Sequence, residues 1–355
     1  MTDQSDMYRG IRLLIGTAAL VIILWGVNQA QSVVVLFLVS AFLAVIGTVP
    51  VLWLQRKHIP SVAAVVIVVA AMITLLLSIG AVVGASLSSL STALPFYQTR
   101  LHDLLSELNV LLARKGLAIT DKVLLGYLNP GTMISVMTGL FTVMSSMLSS
   151  IVLIVFTLTF ILLEASGFPA KLRLLQAHPK ASFPQFTRFV NDIKRYVIIK
   201  TSMNLIAAIL ITIWLFILGV DFPVLWGFLA FILNFVPSVG SVVAAVPAVL
   251  LALVQLGVGS AALTAGGYVA IGMTLGNVVE PRIMGHRFGL SPLVVFVSLI
   301  FWGNLLGVFG ALLCVPLTMT LKLACEESEE TQWIAILLGP DSSSEGMPSI
   351  AKKRK

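Results

Sequence analysis

Acidic and basic residues are absent from long tracts of this chain, and that distribution constrains the fold more than any other feature. Between Arg12 and Arg56 lie 43 residues without Asp, Glu, Lys or Arg, between Lys57 and Arg100 lie 42, and between Lys122 and Glu164 lie 41. Later tracts hold 20 residues (Lys200 to Asp221), 58 (Asp221 to Glu280) and 34 (Arg287 to Lys322). A helix that spans a bilayer needs about 20 apolar residues. Only 10% of the 355 residues are charged and 58% are apolar, and the mean hydropathy is +1.05. An average soluble domain is about 25% charged, so this chain could not cover the surface of a soluble enzyme. A disordered chain and a secreted disulfide scaffold are excluded on the same grounds. Membrane barrel strands alternate apolar and polar residues, and these tracts do not. The expected fold class is therefore an all-α polytopic membrane protein. The net charge of +7 reads as basic flanks that hold helices in a bilayer, not as a nucleic-acid surface. Cys314 and Cys325 fit no disulfide framework or metal spacing and read as structural.

The first tract breaks at Asn28-Gln29-Ala30-Gln31-Ser32, which predicts a helical hairpin over about 11–27 and 33–54. Further spans are expected at about 60–84, 142–163 and 197–219. Span one is too long, and lacks the Ala-x-Ala site, for a cleaved signal peptide. Residues 85–128 carry leucines at helical spacing with charges between them. Pro95 is expected to interrupt this amphipathic segment. It reads either as a cap resting on the membrane or as an oligomerisation or gating module. Arg9, Arg12, Arg56 and Lys57 place the N-terminus in the cytoplasm, and the basic run from Lys171 to Arg195 returns the chain there. The expected organisation is a three-span segment (1–84), an extracytoplasmic helical segment (85–141), a core (142–325) and a partly disordered cytoplasmic tail (326–355).

Two blocks resist reading as simple spans. Residues 222–256 are broken at Asn234-Phe235-Val236-Pro237-Ser238-Val239-Gly240, which leaves halves too short to cross comfortably. Residues 288–321 are broken over 302–310, around Asn304 and Gly307. Pro223 and Pro247 are 24 apart, as are Pro292 and Pro316, and each block follows a full span. This predicts two units of span plus broken hairpin (197–256 and 258–323), with re-entrant hairpins and inverted topology. In all, about six full spans and two broken hairpins are expected. Paired interruptions of this kind point to a transporter site. Irregular backbone in hydrocarbon costs several kcal/mol per unpaired group unless it is buried or lines a wet cavity.

Few polar residues fall within the spans. Asp192, Tyr196, Lys200 and Asn204 recur every four residues and form one helical stripe. Lys200 either snorkels to the cytoplasmic interface or belongs to a polar wall along a path. Asn277 and Glu280 share a face, and Glu280 is the best carboxylate to carry a proton or sodium ion. Arg282 is the residue expected to neutralise it if the group is a structural ion pair. Asp221 reads as a boundary residue. No Gly-x-Ser-x-Gly, His-Glu-x-x-His or phosphate-binding Gly-rich motif occurs, and four unclustered histidines suggest neither metal nor other cofactor.

Together the motifs carry a family resemblance. They are Tyr196-x-x-x-Lys200-Thr201-x-x-Asn204, Phe222-Pro223-x-x-Trp226-Gly227, Asn234-Phe235-Val236-Pro237-x-x-Gly240-Ser241 and Asn277-x-x-x-Pro281-Arg282-Ile283-Met284-Gly285. Leu290-Ser291-Pro292, Trp302-Gly303-x-Leu305-x-Gly307-x-x-Gly310 and Pro316 complete the set. Over about 11–323 the chain resembles the AI-2E family of bacterial transporters. The resemblance implies a multi-span protein of the bacterial inner membrane that exports autoinducer-2 or exchanges sodium or lithium for protons. The expected path is lined by Asn234, Pro237, Gly240, Asn304 and Gly307, with Asn277, Glu280, Arg282, Tyr196, Lys200 and Asn204 alongside. The expected partners are the lipid bilayer, a small polar solute or monovalent cation, and further copies of the chain. A membrane scaffold without transport is the rival reading.

Overall fold

The computed structural model describes residues 2–114, 139, 142, 151–176, 184–237, 239–284, 290–326 and 331–339. The rest of the amphipathic segment, His286, Arg287 and the basic tail lie outside the described residues. Among the described residues every regular element is a helix: α1 (Thr2–Gln29), α2 (Gln31–Arg56), α3 (Ser61–Arg114), α4 (Ile151–Gln176), α5 (Pro184–Leu218), α6 (Pro223–Leu233) and α7 (Gly240–Leu256). Then follow α8 (Val258–Met273), a π turn (Thr274–Val279), α9 (Glu280–Met284), α10 (Pro292–Leu312), α11 (Cys314–Glu326) and α12 (Gln332–Leu337). Among the described residues, five helical stretches are long and apolar enough to cross a membrane: Gln31–Arg56, Ser61–Asp103, Asn191–Leu218, Val258–Val279 and Pro292–Leu312. Leu14–Gln29 and Ile151–Ala165 are shorter apolar helices. The chain is an all-α, multi-pass membrane protein, as its charge distribution implies.

The chain forms two compact units. A central unit holds Ala44–Phe288, and a terminal unit holds Met1–Leu43 and Gly289–Lys355. In the central unit the broken pair α6 and α7 is clasped by α3, α5 and α8. Val83, Leu87, Leu90 and Tyr97 of α3, Leu215 of α5, Trp226 and Leu229 of α6, Ala248 and Leu251 of α7, and Tyr268 of α8 share one buried cluster. Small residues permit the close approach. A side chain at Gly227 of α6 would strike the Thr212 hydroxyl and the Ala208 carbonyl of α5, and one at Gly267 of α8 would strike the Trp214 ring.

The interruption expected at Pro95 does not occur, because α3 runs through it for 54 residues. An interior proline costs about 3 kcal/mol. Leu87 and Leu90 before it and Tyr97 after it lie on one buried face. Each buried large apolar side chain returns about 1.5–3 kcal/mol, so packing carries the helix through the proline.

At the far end of the hairpin a polar clamp ties its base. Asp221 accepts a hydrogen bond from the Tyr97 hydroxyl at 2.6 Å, and its carbonyl accepts from Trp226 Nε1 at 2.9 Å. The Asp221 N–H donates to Gln255 Oε1 at 3.0 Å, while Gln255 Nε2 donates to the Gly219 carbonyl at 3.1 Å. The boundary residue therefore joins α3, the start of α6 and the end of α7.

In the terminal unit, α10 packs on α1 and α11. Ser291 caps α10 by accepting from the Val294 N–H at 3.2 Å. The break expected over 302–310 is one residue, Gly307, with φ +67° and ψ −152° inside an otherwise continuous helix. The second block thus lacks the separation into two helices, ending at Leu233 and starting at Gly240, that marks the first.

Candidate functional site

The two halves of the first block are short. At 1.5 Å per residue, α6 is about 16 Å long and α7 about 25 Å, against a hydrocarbon core of about 30 Å. Residues 234–239 between them leave the last four carbonyls of α6 without helical partners, and each is accounted for. Ala230 accepts from the Asn234 N–H (2.9 Å), Ile232 from Phe235 (3.2 Å) and Leu233 from Val236 (2.8 Å). The Phe231 carbonyl accepts from the side-chain amide of Asn204 on α5, at 3.3 Å. Asn204, 3% exposed, thus completes a helix end 27 residues further along the chain. A side chain at Gly240 would strike the Leu233 carbonyl, so this glycine lets α7 start directly against the end of α6.

Beside this tip lies a cavity of about 520 Å³. Its polar wall comprises Lys200, Asn204, Asn234, Ser241, Tyr268, Asn277 and Glu280, and Met203, Pro237, Val242 and Met273 supply apolar surface. The negative end of α6 and the positive end of α7 both terminate at the tip.

Lys200 and Glu280 are the charged residues of the described lining. They pair with each other: Lys200 Nζ lies 2.8 Å from Glu280 Oε1 and 3.0 Å from Oε2, and the side chains are 10% and 20% exposed. In the sequence they belong to separate groups, and Arg282 is the expected partner of Glu280. Arg282 is exposed and takes no part. Residues two apart on a helix do not face each other. Lys200 is buried at 8% exposure, so it belongs to the wall of the cavity and does not snorkel to an interface.

Local backbone chemistry aims Glu280 inward. Pro281 has no N–H to donate to the carbonyl four residues earlier, and a regular α-helix cannot run unchanged through a proline. The chain widens into a π turn over Thr274–Val279, and the Glu280 N–H bonds to the Leu275 carbonyl five residues back. Such turns rotate the following residues relative to an ideal helix and recur at functional sites.

Of the residues expected along the path, six meet at this cavity: Lys200, Asn204, Asn234, Pro237, Asn277 and Glu280. Gly240 shapes the tip, and Tyr196 is buried one turn before Lys200. Asn304 and Gly307 belong to the terminal unit. There Asn304 is exposed, while Asn28 Nδ2 donates to the Leu305 carbonyl at 3.2 Å. Ser241, Met203 and Tyr268 also line the cavity. The sequence offered only a faint signal for them, a tyrosine and a serine in otherwise apolar tracts.

The model of the AI-2E family transporter matches residues 14–330. The AI-2 transport protein TqsA of Escherichia coli (strain K12) is 38% identical over 329 residues, covering 93% of this chain and 96% of that protein. YhhT of the same strain is 33% identical over 347 residues, covering 98% and 99%. A Haemophilus influenzae relative is 33% identical over 334 residues, covering 92% and 96%. With the match running through the clasping helices, the broken hairpin and the Lys200–Glu280 wall alike, the chain belongs to the AI-2E family of membrane transporters.

Proposed function

We propose that this protein is a secondary transporter that carries a small polar solute out of the cytoplasm through the cavity at the hairpin tip, with autoinducer-2 as the first candidate. The observation that carries this reading is the ion pair of Lys200 with Glu280, set in the wall of a cavity beside a broken helix. A charge held in the membrane interior costs about 2.5–3.5 kcal/mol on insertion scales and marks a functional path by default. The volume falls in the range of small-molecule sites, about 300–1,000 Å³. The choice of autoinducer-2 leans on the similarity to TqsA, named an AI-2 transport protein.

Glu280 is the coupling carboxylate in this reading. Both of its oxygens are held by one ammonium, so a proton or sodium ion that binds there displaces Lys200. Ion binding thereby changes the charge presented to the solute. The hairpin of α6 and α7 enters and leaves the membrane on one side, because an 11-residue helix does not cross it. The protein resides in the bacterial cytoplasmic membrane with both termini inside, as a homo-oligomer.

Flux in proteoliposomes tests the reading. Vesicles containing the protein should move autoinducer-2 under an imposed proton or sodium gradient, and Glu280→Gln should abolish the gradient dependence. Sodium-dependent proton flux with no movement of autoinducer-2 would establish an antiporter instead. A scaffold would leave every flux unchanged in Asn234→Ala and Glu280→Gln.

A further inference from the structure

Threonines inside these helices have a cheap way to satisfy their hydroxyls, which is to donate to the carbonyl four residues earlier. Thr48, Thr74, Thr159, Thr212, Thr318 and Thr320 all do so, at 2.7–2.9 Å. Thr264 does not. It sits in α8 with 0% exposure, and its hydroxyl has no hydrogen-bond partner among the described residues. One turn later, Tyr268 is 3% exposed and its hydroxyl is equally buried and unpartnered. Two such groups on successive turns of one helix face are destabilising if nothing ever pairs with them.

Their position supplies an explanation. Tyr268 lines the cavity, and a helical side chain of this length leans toward the N-terminus of its helix, here toward Thr264. The two hydroxyls therefore lead from the cavity into the buried interior beside α8. We propose that Thr264 and Tyr268 line the half of the solute path that is closed in this conformation. They become hydrogen-bonding stations when α8 and the hairpin separate. This rests on the reading of the cavity as the solute site, and it adds where the path continues and which groups touch the solute there.

A path residue must become wet, whatever the solute. In a Cys314→Ser, Cys325→Ser background, Thr264→Cys should react with a small charged methanethiosulfonate reagent in proteoliposomes, more slowly than Ser241→Cys in the open cavity. Tyr268→Phe should melt at or above the temperature of the parent, because it removes an unpaired buried hydroxyl, yet transport autoinducer-2 about tenfold less efficiently. Thr264→Cys that never reacts while Ser241→Cys does overturns the proposal. So does a lower melting temperature for Tyr268→Phe, the mark of a structural hydroxyl that is paired in the folded protein. If Thr264→Cys reacts but the parent moves no autoinducer-2, the path stands and the choice of solute fails.

Discussion

Lys200→Met and Glu280→Gln, separately and together, test whether the two charges act as one unit. The ammonium sits 2.8 and 3.0 Å from the two carboxylate oxygens, with one tenth of the lysine side chain and one fifth of the glutamate side chain exposed. Removing one member of a buried pair costs about 3–5 kcal/mol, because the other charge is left without compensation. The residual exposure of Glu280 places each single variant at the lower end, about 3 kcal/mol. Each kcal/mol moves the melting temperature by about 2–4 °C in a domain of 150–250 residues. The central unit, Ala44–Phe288, is of that size, so each single variant should melt about 6–12 °C lower. Lys200→Met combined with Glu280→Gln leaves no uncompensated charge and should recover most of the loss. The assay is thermal unfolding of the purified protein in one detergent at one concentration, followed by tryptophan fluorescence. Losses that simply add in the double variant, to within the 0.3–0.5 kcal/mol scatter of independent sites, would refute the pairing. A stable double variant that moves no solute would separate the proposed coupling role of the pair from its structural one.

Five further substitutions have outcomes set by the geometry. Asn204→Leu strips the Phe231 carbonyl of its donor and should cost about 1–3 kcal/mol, read in the same melting assay. Gly227→Ala drives a methyl into Thr212 and the Ala208 carbonyl and should cost about 1–3 kcal/mol. Gly266→Ala, with open space around it, should stay within about 0.5 kcal/mol of the parent. Tyr97→Phe loses the 2.6 Å bond to Asp221, worth about 1.5–3 kcal/mol for a charged acceptor, and should loosen the hairpin base in hydrogen exchange of residues 219–222. Gly307→Ala imposes a side chain at φ +67° and ψ −152°, a region open essentially to glycine alone, at about 1–3 kcal/mol.

Much of this protein was legible in the sequence because hydrocarbon is an unforgiving solvent. Charges cannot sit in it, so their absence drew the spans, and unpaired backbone cannot sit in it, so Asn234 to Gly240 announced a break. The stripe of Lys200 and Asn204 was legible for the same reason. The partner of Glu280 was not. Arg282 is two residues away and Lys200 is 80, and only tertiary packing makes the distant one near. Pro281 was visible, but its effect was not. A missing N–H says that a turn must distort, and the neighbours decide in which direction. Pro95 shows the converse, a breaker overruled by Leu87, Leu90 and Tyr97 packing on the hairpin.

The same dependence explains why the site lies where it does. A broken helix in a membrane must have its loose carbonyls met by other elements, and at this tip three are met locally and the fourth by Asn204 of α5. The residue four positions earlier on that helix, Lys200, therefore arrives beside the tip as a consequence of the repair. Its charge in turn demands a carboxylate. The π turn before Pro281 swings Glu280 into place from the next span. Structural repair and chemical site thus use one helix face. A substitution that shifts α5 along its axis should accordingly disturb both together, whereas one at the Asp221 clamp should disturb the hairpin base alone.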